Sequence, residues 1–310
     1  MKQPYVLVNA LAGRVARDPD LLGRIGRLVA SDNVRVTRSP QEVEPAMRDA
    51  AAAGAETLVI VGGDGSVTGS LTPLLRSWPH EELPAVVLAG GGRMDEIPRA
   101  LGARGTPDGV LARLIAADQP SPTVRRRVLK IQPAALGTRY GLTLCVGIPA
   151  RWLAESERTS GRGPTGSLLV AARALGSGLL GGSLSRELAT PIEAEISIDG
   201  EECEAASFTG LAAGTIGELG LPIRLLPSAE PDSEHFHLAL SRSGPALLGL
   251  ASAALGIGLP TPTFAIDERE VNSLEIRFAD RAAYAVDTDS LPATGNLRVE
   301  LGPEIHFLVP

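Results

Sequence analysis

The sequence predicts a two-domain α/β fold. A doubly wound α/β domain, Met1 to about Pro122, precedes a mostly antiparallel β domain, about Thr123 to Ala283, and a C-terminal segment, 284–310, is expected to pack back near the first domain. Three observations predict it. At 310 residues the chain exceeds the usual size of one compact domain, so two domains sharing a cleft are expected. Its first third alternates short apolar runs with stretches of helical periodicity, the order of a parallel sheet covered on both faces. From about Thr123 strand-like runs joined by turns replace that alternation, and helices become few.

Tyr5 to Val8 is an apolar run ending at Asn9, and beyond Gly13 the segment Asp18 to Val29 carries apolar residues at helical spacing. Val34 to Thr37 is a second short strand. Gln41 to Ala53 is an alanine-rich helix opened by Ser39 and Pro40, a cap and first-turn pair, and closed by Gly54. Thr57 to Val61 is mostly β-branched with no polar alternation, which marks a central parallel strand buried on both faces. The helix after it is expected from near Ser66 to about Leu75. Ala85 to Leu88 is the next strand, Gly90 to Gly92 its loop, and Asp95 to Leu101 a helical turn. A sheet of this kind takes its ligands at the C-terminal ends of its strands.

In the second region Val124 to Pro133, Arg139 to Ile148, Glu193 to Ile198, Ala205 to Ala212 and His235 to Ser241 read as strands. Ser167 to Leu180 and Pro245 to Ile257 read as helical insertions, and Ser156 to Gly166 as a mobile loop over the cleft. Asp199-Gly200-Glu201 lies between two strand-like runs and reads as a hairpin turn.

Composition excludes several classes of function. Hydrophobic residues make up 44% and charged residues 21%, which argues against global disorder. Aromatics at 3% and a formal net charge of -7 argue against a base-stacking or basic-surfaced nucleic-acid binder, so no nucleic-acid partner is expected. Cys145 and Cys203 read as core thiols, and with His80, His235, His237 and His306 scattered along the chain they make no zinc site. The opening MKQPYVLVNALAG is too quickly interrupted for a signal peptide, and the apolar stretch Gly244 to Pro260 falls short of the ~20 residues of a membrane span. A cytoplasmic location is the default expectation. Arg125-Arg126-Arg127 reads first as a solvated strand start and second as a contact for phosphates or anionic lipid headgroups, which would make the protein peripheral to a membrane.

The segment Gly62-Gly63-Asp64-Gly65-Ser66 carries the clearest chemistry. It follows a buried strand and precedes a helix, where glycines let backbone N–H groups approach phosphate oxygens and the helix N-terminus adds partial positive charge. It lacks the Walker lysine, so it is not a P-loop. Asp64, an acid among phosphates, has three readings: a Mg2+ ligand, a proton acceptor for an attacking hydroxyl, or a turn residue.

These residues, with others in the same order along the chain, resemble the catalytic-domain family of diacylglycerol kinases, sphingosine kinases and their bacterial lipid-kinase relatives, itself distantly similar to NAD kinases. Asn9 with Gly13 resembles the family's NPxxG opening, with Ala10 in place of proline. Thr37 stands where the family has a threonine facing the nucleotide, Gly62 to Gly65 match GGDG, and Gly92 to Gly102 resemble GTxNDFARxLG. Leu226-Pro227-Ser228-Ala229 resembles the PxA turn, and Val286-Asp287-Thr288-Asp289 the late DGE motif.

The resemblance implies a kinase that uses ATP and Mg2+ to phosphorylate a hydroxyl, with a lipid such as a diacylglycerol or sphingoid base as first acceptor class. It makes Asn9, Thr37, Gly62, Gly63, Gly65, Ser66, Gly92, Arg93, Asp95 and Arg99 nucleotide-binding, Asp64, Asp287 and Asp289 catalytic, and Asp64, Asp232 and Asp289 metal-binding. Trp152, by the same resemblance, lines the acceptor pocket or is plain core. The chain also departs from the family pattern. Ser66 replaces the threonine of GGDGT, Thr68 and Gly69 the Asn-Glu pair that follows it, Arg93 replaces a threonine, Asp95-Glu96 an Asn-Asp pair, and Thr288 and Asp289 the last two residues of DGE. Arg93 either grips a phosphate or fills nucleotide space. These departures keep two alternatives open: a kinase for a soluble small-molecule hydroxyl, and a non-catalytic protein that binds nucleotide or lipid.

Overall fold

In a computed structural model of the chain, the residues described are 3–134, 136–160, 187–188, 190–217, 226, 229, 234–242 and 267–310. Asp232, the expected helices Ser167 to Leu180 and Pro245 to Ile257, the apolar stretch containing the latter, 161–166, Pro227, Ser228 and the Cys203 side chain lie outside the described residues. Two compact units are present: Met1–Arg127 with Pro303–Pro310, and Val128–Gly302.

The first unit is a parallel sheet in which β1 (Tyr5–Asn9) lies between β2 (Val34–Thr37) and β3 (Thr57–Gly62), and β3 pairs with β4 (Ala85–Gly90). Phe307 and Leu308, at the end of the last strand, add parallel to Val86 and Val87. Leu58 to Val61 are at most 2% exposed, as expected for a strand covered on both faces. On one face α1 (Leu21–Leu28) and α5 (Pro107–Ala116) place Leu21, Ile25, Val110, Leu111 and Leu114 against Val6, Val8, Val59, Val61, Val87 and Ala89. Helix α2 (Val43–Ala52) packs on α3 (Asp64–Ser77), and α3 on β3. A short α4 (Glu96–Ala100) follows β4.

Three local expectations change. Helix α3 starts at Asp64 rather than near Ser66, with Gly63 as the residue before its first turn. Ser39 does not cap α2: a 3-10 turn, Pro40–Glu42, intervenes, and the Ser39 hydroxyl donates to the Glu42 carboxylate, which also accepts from Arg38 N–H. Helix α5 was not anticipated, although Thr106 caps it by accepting from Gly109 N–H and Pro107 fills its first turn.

The second unit is antiparallel. Its sheet runs β12 (Asp267–Val271), β11 (Phe236–Ser241), β10 (Gly210–Gly214), β7 (Thr143–Gly147), β13 (Ser273–Val286), β14 (Asp289–Leu308). β8 (Ile192–Ile198) pairs with β13 and with β9 (Glu201–Phe208), and β5 (Thr123–Pro133) with β6 (Arg139–Gly141). Alternate residues such as Ile192, Ala194 and Ile196 turn inward to a core with Phe208, Phe236, Leu274, Ile276 and Tyr284. The expected strand Arg139 to Ile148 is two strands, and α6 (Ile148–Ser160) begins where it was expected to end; Ser156 to Ser160 are therefore helix rather than loop. Asp199-Gly200 forms the β8–β9 turn with φ of 52° and 83°, the positive pair of a tight hairpin. Among the described residues no helix is long and apolar enough to cross a membrane.

Candidate phosphate-loop site

The C-terminal ends of β1, β3 and β4 meet through their loops, and glycine makes that possible. A Cβ on Gly63 would lie 2.7 Å from Gly92 Cα, and one on Gly92 2.5 Å from Gly63 Cα, so the loops after β3 and β4 touch backbone to backbone. Gly91 N–H donates to Gly62 O at 2.8 Å across the same junction. Gly62 is covered by Ser66, whose Oγ accepts from Asn9 Nδ2 at 2.9 Å, while Asn9 Oδ1 accepts from Leu11 N–H and turns the chain after β1. Gly65 lies in the first turn of α3. Thr37 is buried at the end of β2, its hydroxyl donating to Val8 O at 3.4 Å and its carbonyl accepting from Ala10 N–H.

Asp64 and Asp95 are held differently. Asp64, first residue of α3, accepts at Oδ1 from Ile97 N–H at 2.7 Å and so satisfies an otherwise unpaired donor of α4. Burial pushes its carboxyl above the usual range, the Ile97 bond opposes that rise, and the Asp95 charge adds to it. Asp95 is 2% exposed and adopts a left-handed backbone, φ 53°. Its Oδ1 accepts from Gly92 N–H at 2.7 Å and its Oδ2 pairs with Arg14 Nη2. Arg14 Nε donates to Gly92 O at 3.0 Å, so one arginine holds both the loop carbonyl and the acid that binds the loop amide. The stem of Arg93 crosses Gly13, where a Cβ would fall 2.5 Å from Arg93 Cγ. Arg99 turns back onto α4, donating to Asp95 O and Met94 O.

Asp287 and Asp289 belong to the second unit, flanking the β13–β14 turn in which Val286 pairs with Asp289. Asp287, 2% exposed with φ 51°, accepts at Oδ1 from Leu142 N–H, Thr143 N–H and Thr143 Oγ1 at 2.8–3.0 Å. Its Oδ2 is buried without a hydrogen-bond partner and lies against Gly141, where a Cβ would come to 3.1 Å. Burial raises its carboxyl to about 6, against the opposing bonds from Thr143 and Leu142 and with a further push from Asp289. Trp152 packs in a core cluster with Cys145, Ala150 and Leu153. His237 is buried between the carboxylates of Glu268 and Glu270, and His235 lies outside β11 against Asn272. No group of three or more His, Cys, Asp or Glu among the described residues is arranged to hold a metal ion by itself.

The expected residues of the first unit therefore meet around three loops, while Asp287 and Asp289 form a separate pair. Arg14, Gly91, Thr143 and Gly141 were not singled out from the sequence. Arg14 adjoins Gly13 in the opening motif, so position alone pointed to it.

Residues 3–124 match the family described as diacylglycerol kinase catalytic domain. No curated protein matches the chain. A candidate diacylglycerol kinase from Bacillus anthracis str. Sterne is similar at 16% identity and a TM-score of 0.70, over 98% of this chain and 96% of that one. A diacylglycerol kinase structure from the same strain is similar at 14% identity and a TM-score of 0.66, over 99% and 97%. An NAD kinase from Archaeoglobus fulgidus in complex with ATP is similar at 17% identity and a TM-score of 0.53, over 98% and 92%. At these identities the likeness is one of fold.

Proposed function

We propose that the chain, whose residues 3–124 match the family described as diacylglycerol kinase catalytic domain, is a kinase that transfers the γ-phosphoryl group of ATP to a hydroxyl, with a lipid alcohol as the acceptor class. The observation that carries the reading is the backbone contact of Gly63 with Gly92 at the ends of β3 and β4. Two glycine loops that exclude side chains from one spot, beside the N-terminus of the 14-residue helix α3, form the kind of surface that phosphate oxygens approach.

In this reading Asn9 and Ser66 fix the loops after β1 and β3, and Arg93 supplies positive charge beside Gly13. Asp64 fits Mg2+ by the chemistry of its carboxylate, because Mg2+ needs only one or two carboxylates together with phosphates and water. The ion would screen charge on the phosphates. Asp287 and Asp289 are the acceptor-side carboxylates. The Asp287 Oδ2 has no donor, and a value of about 6 suits a group that accepts a hydroxyl proton near neutrality. Oδ1, held by three donors, fixes its orientation.

Calorimetric titration of the whole chain with ATP and Mg2+ tests the nucleotide half. Saturable binding that competes with ADP is expected. No binding at millimolar nucleotide would overturn the proposal.

A further inference from the structure

Asp95 is a buried acid whose side-chain carboxylate, among the hydrogen bonds and ion pairs of the described residues, meets one cation, Arg14, while Arg99 reaches only its backbone carbonyl. The two partners are unequally placed: the Asp95 side chain is 4% exposed and that of Arg14 56%. An acid so enclosed does not tolerate loss of its counter-charge, whereas an arginine half in water tolerates loss of the acid. The pair closes a ring through one residue. Asp95 Oδ1 takes Gly92 N–H, Arg14 Nε gives to Gly92 O, and the two side chains join at Asp95 Oδ2 and Arg14 Nη2. Arg14 and Val15 N–H also donate to Gly91 O, so the loops after β1 and β4 are bound twice over. Gly92 is the residue whose backbone meets Gly63.

We infer that Arg14 and Asp95 are a positioning pair for the phosphate loops: together they fix Gly92 against Gly63, and Arg14 cancels a carboxylate charge that would otherwise repel phosphate. The inference rests on the nucleotide reading proposed above. Neither residue needs to touch the nucleotide. Its signature is asymmetry. Arg14→Met leaves the acid buried and unpaired, while Asp95→Asn keeps an oxygen for Gly92 N–H and leaves a solvated arginine.

The test measures nucleotide affinity and melting temperature for the full chain, for Arg14→Met, for Asp95→Asn and for the double variant. Arg14→Met is expected to weaken ATP binding at least about tenfold and to lower the melting temperature by on the order of 5 °C. Asp95→Asn alone is expected to lower both readouts by less than Arg14→Met does, because the amide oxygen still accepts from Gly92 N–H and no charge is left buried without its partner. The double variant returns to the affinity and melting temperature of Asp95→Asn. A purely structural role would restore the melting temperature and leave affinity unchanged throughout, which overturns the inference. So does a double variant no better than Arg14→Met in either readout. If the wild type binds no nucleotide, the parent reading fails and takes the affinity claim with it. In that case the rescue of melting temperature judges the ring alone.

Discussion

Asp287→Asn separates the cost of burying a charge from the value of the hydrogen bonds that surround it. The carboxylate is 2% exposed, and burial lifts it from 3.8 to about 6 in spite of three donors on Oδ1. At about 1.4 kcal/mol for each tenfold change in proton affinity, that rise corresponds to about 3 kcal/mol. The folded value is the higher one, so the fold favours the protonated acid. The stability attached to this proton is fully present below the unfolded value of 3.8 and is lost as pH rises through about 6. Asparagine keeps an oxygen for Leu142 and Thr143, is at home at φ 51°, and carries no charge to desolvate. Its free energy of unfolding relative to the wild type should therefore rise by about 2 kcal/mol between about pH 4 and about pH 7, the larger part of the full titration. Taking the difference between the two proteins removes groups they share, such as Asp18, Glu44 and Glu300, which arginine hydrogen bonds hold below the usual range. Urea unfolding of the second unit is followed by Trp152 fluorescence in a Trp78→Phe background. A difference that is flat across this pH range would refute the assignment of a buried, destabilising charge to Asp287.

Three further outcomes follow from the loop geometry. Gly63→Val brings a side chain to 2.7 Å from the Gly92 backbone, so it should cost about 1–3 kcal/mol in denaturant unfolding as well as nucleotide binding, and an unchanged transition midpoint would contradict the close approach. Asp64→Asn retains an acceptor for Ile97 N–H and should melt near the parent, while any phosphotransfer falls by at least ~100-fold; equal turnover removes Asp64 from the chemistry. Arg93→Thr should weaken ATP binding about tenfold, as loss of a charge-assisted phosphate contact does, and Gly13→Ala, which displaces the Arg93 stem, should move affinity the same way with little change in melting. Unchanged or tighter binding in both variants would place Arg93 outside the phosphate site.

The central strand of the parallel half was legible because burial on both faces forces an unbroken apolar run: Thr57 to Val61 needed no tertiary information. Helix α6 was hidden because Val146-Gly147-Ile148 reads as one apolar run. The break is a matter of backbone conformation, Gly147 at φ 72° with Ile148 N–H bonded to Thr209 O. The β13–β14 hairpin was missed because its pairing shifts register between Arg277 and Tyr284, which interrupts the alternation that marks a strand. At the site, the glycines and Asp64 stood out because their spacing carries the chemistry locally. The pairing of Asp95 did not, since its partner Arg14 is 81 positions away and nothing in a linear pattern tells an acid facing a ligand from one facing an arginine. The same holds for Asp287, whose three donors come from 144 and 145 positions away.

The most direct test of the kinase assignment is transfer of label from γ-labelled ATP, with Mg2+, to a panel of lipid and soluble alcohols. The assignment predicts a labelled phosphomonoester from a lipid acceptor with the wild-type chain, and at least ~100-fold less with Asp64→Asn. No transfer to any acceptor, or transfer that Asp64→Asn leaves intact, would contradict it.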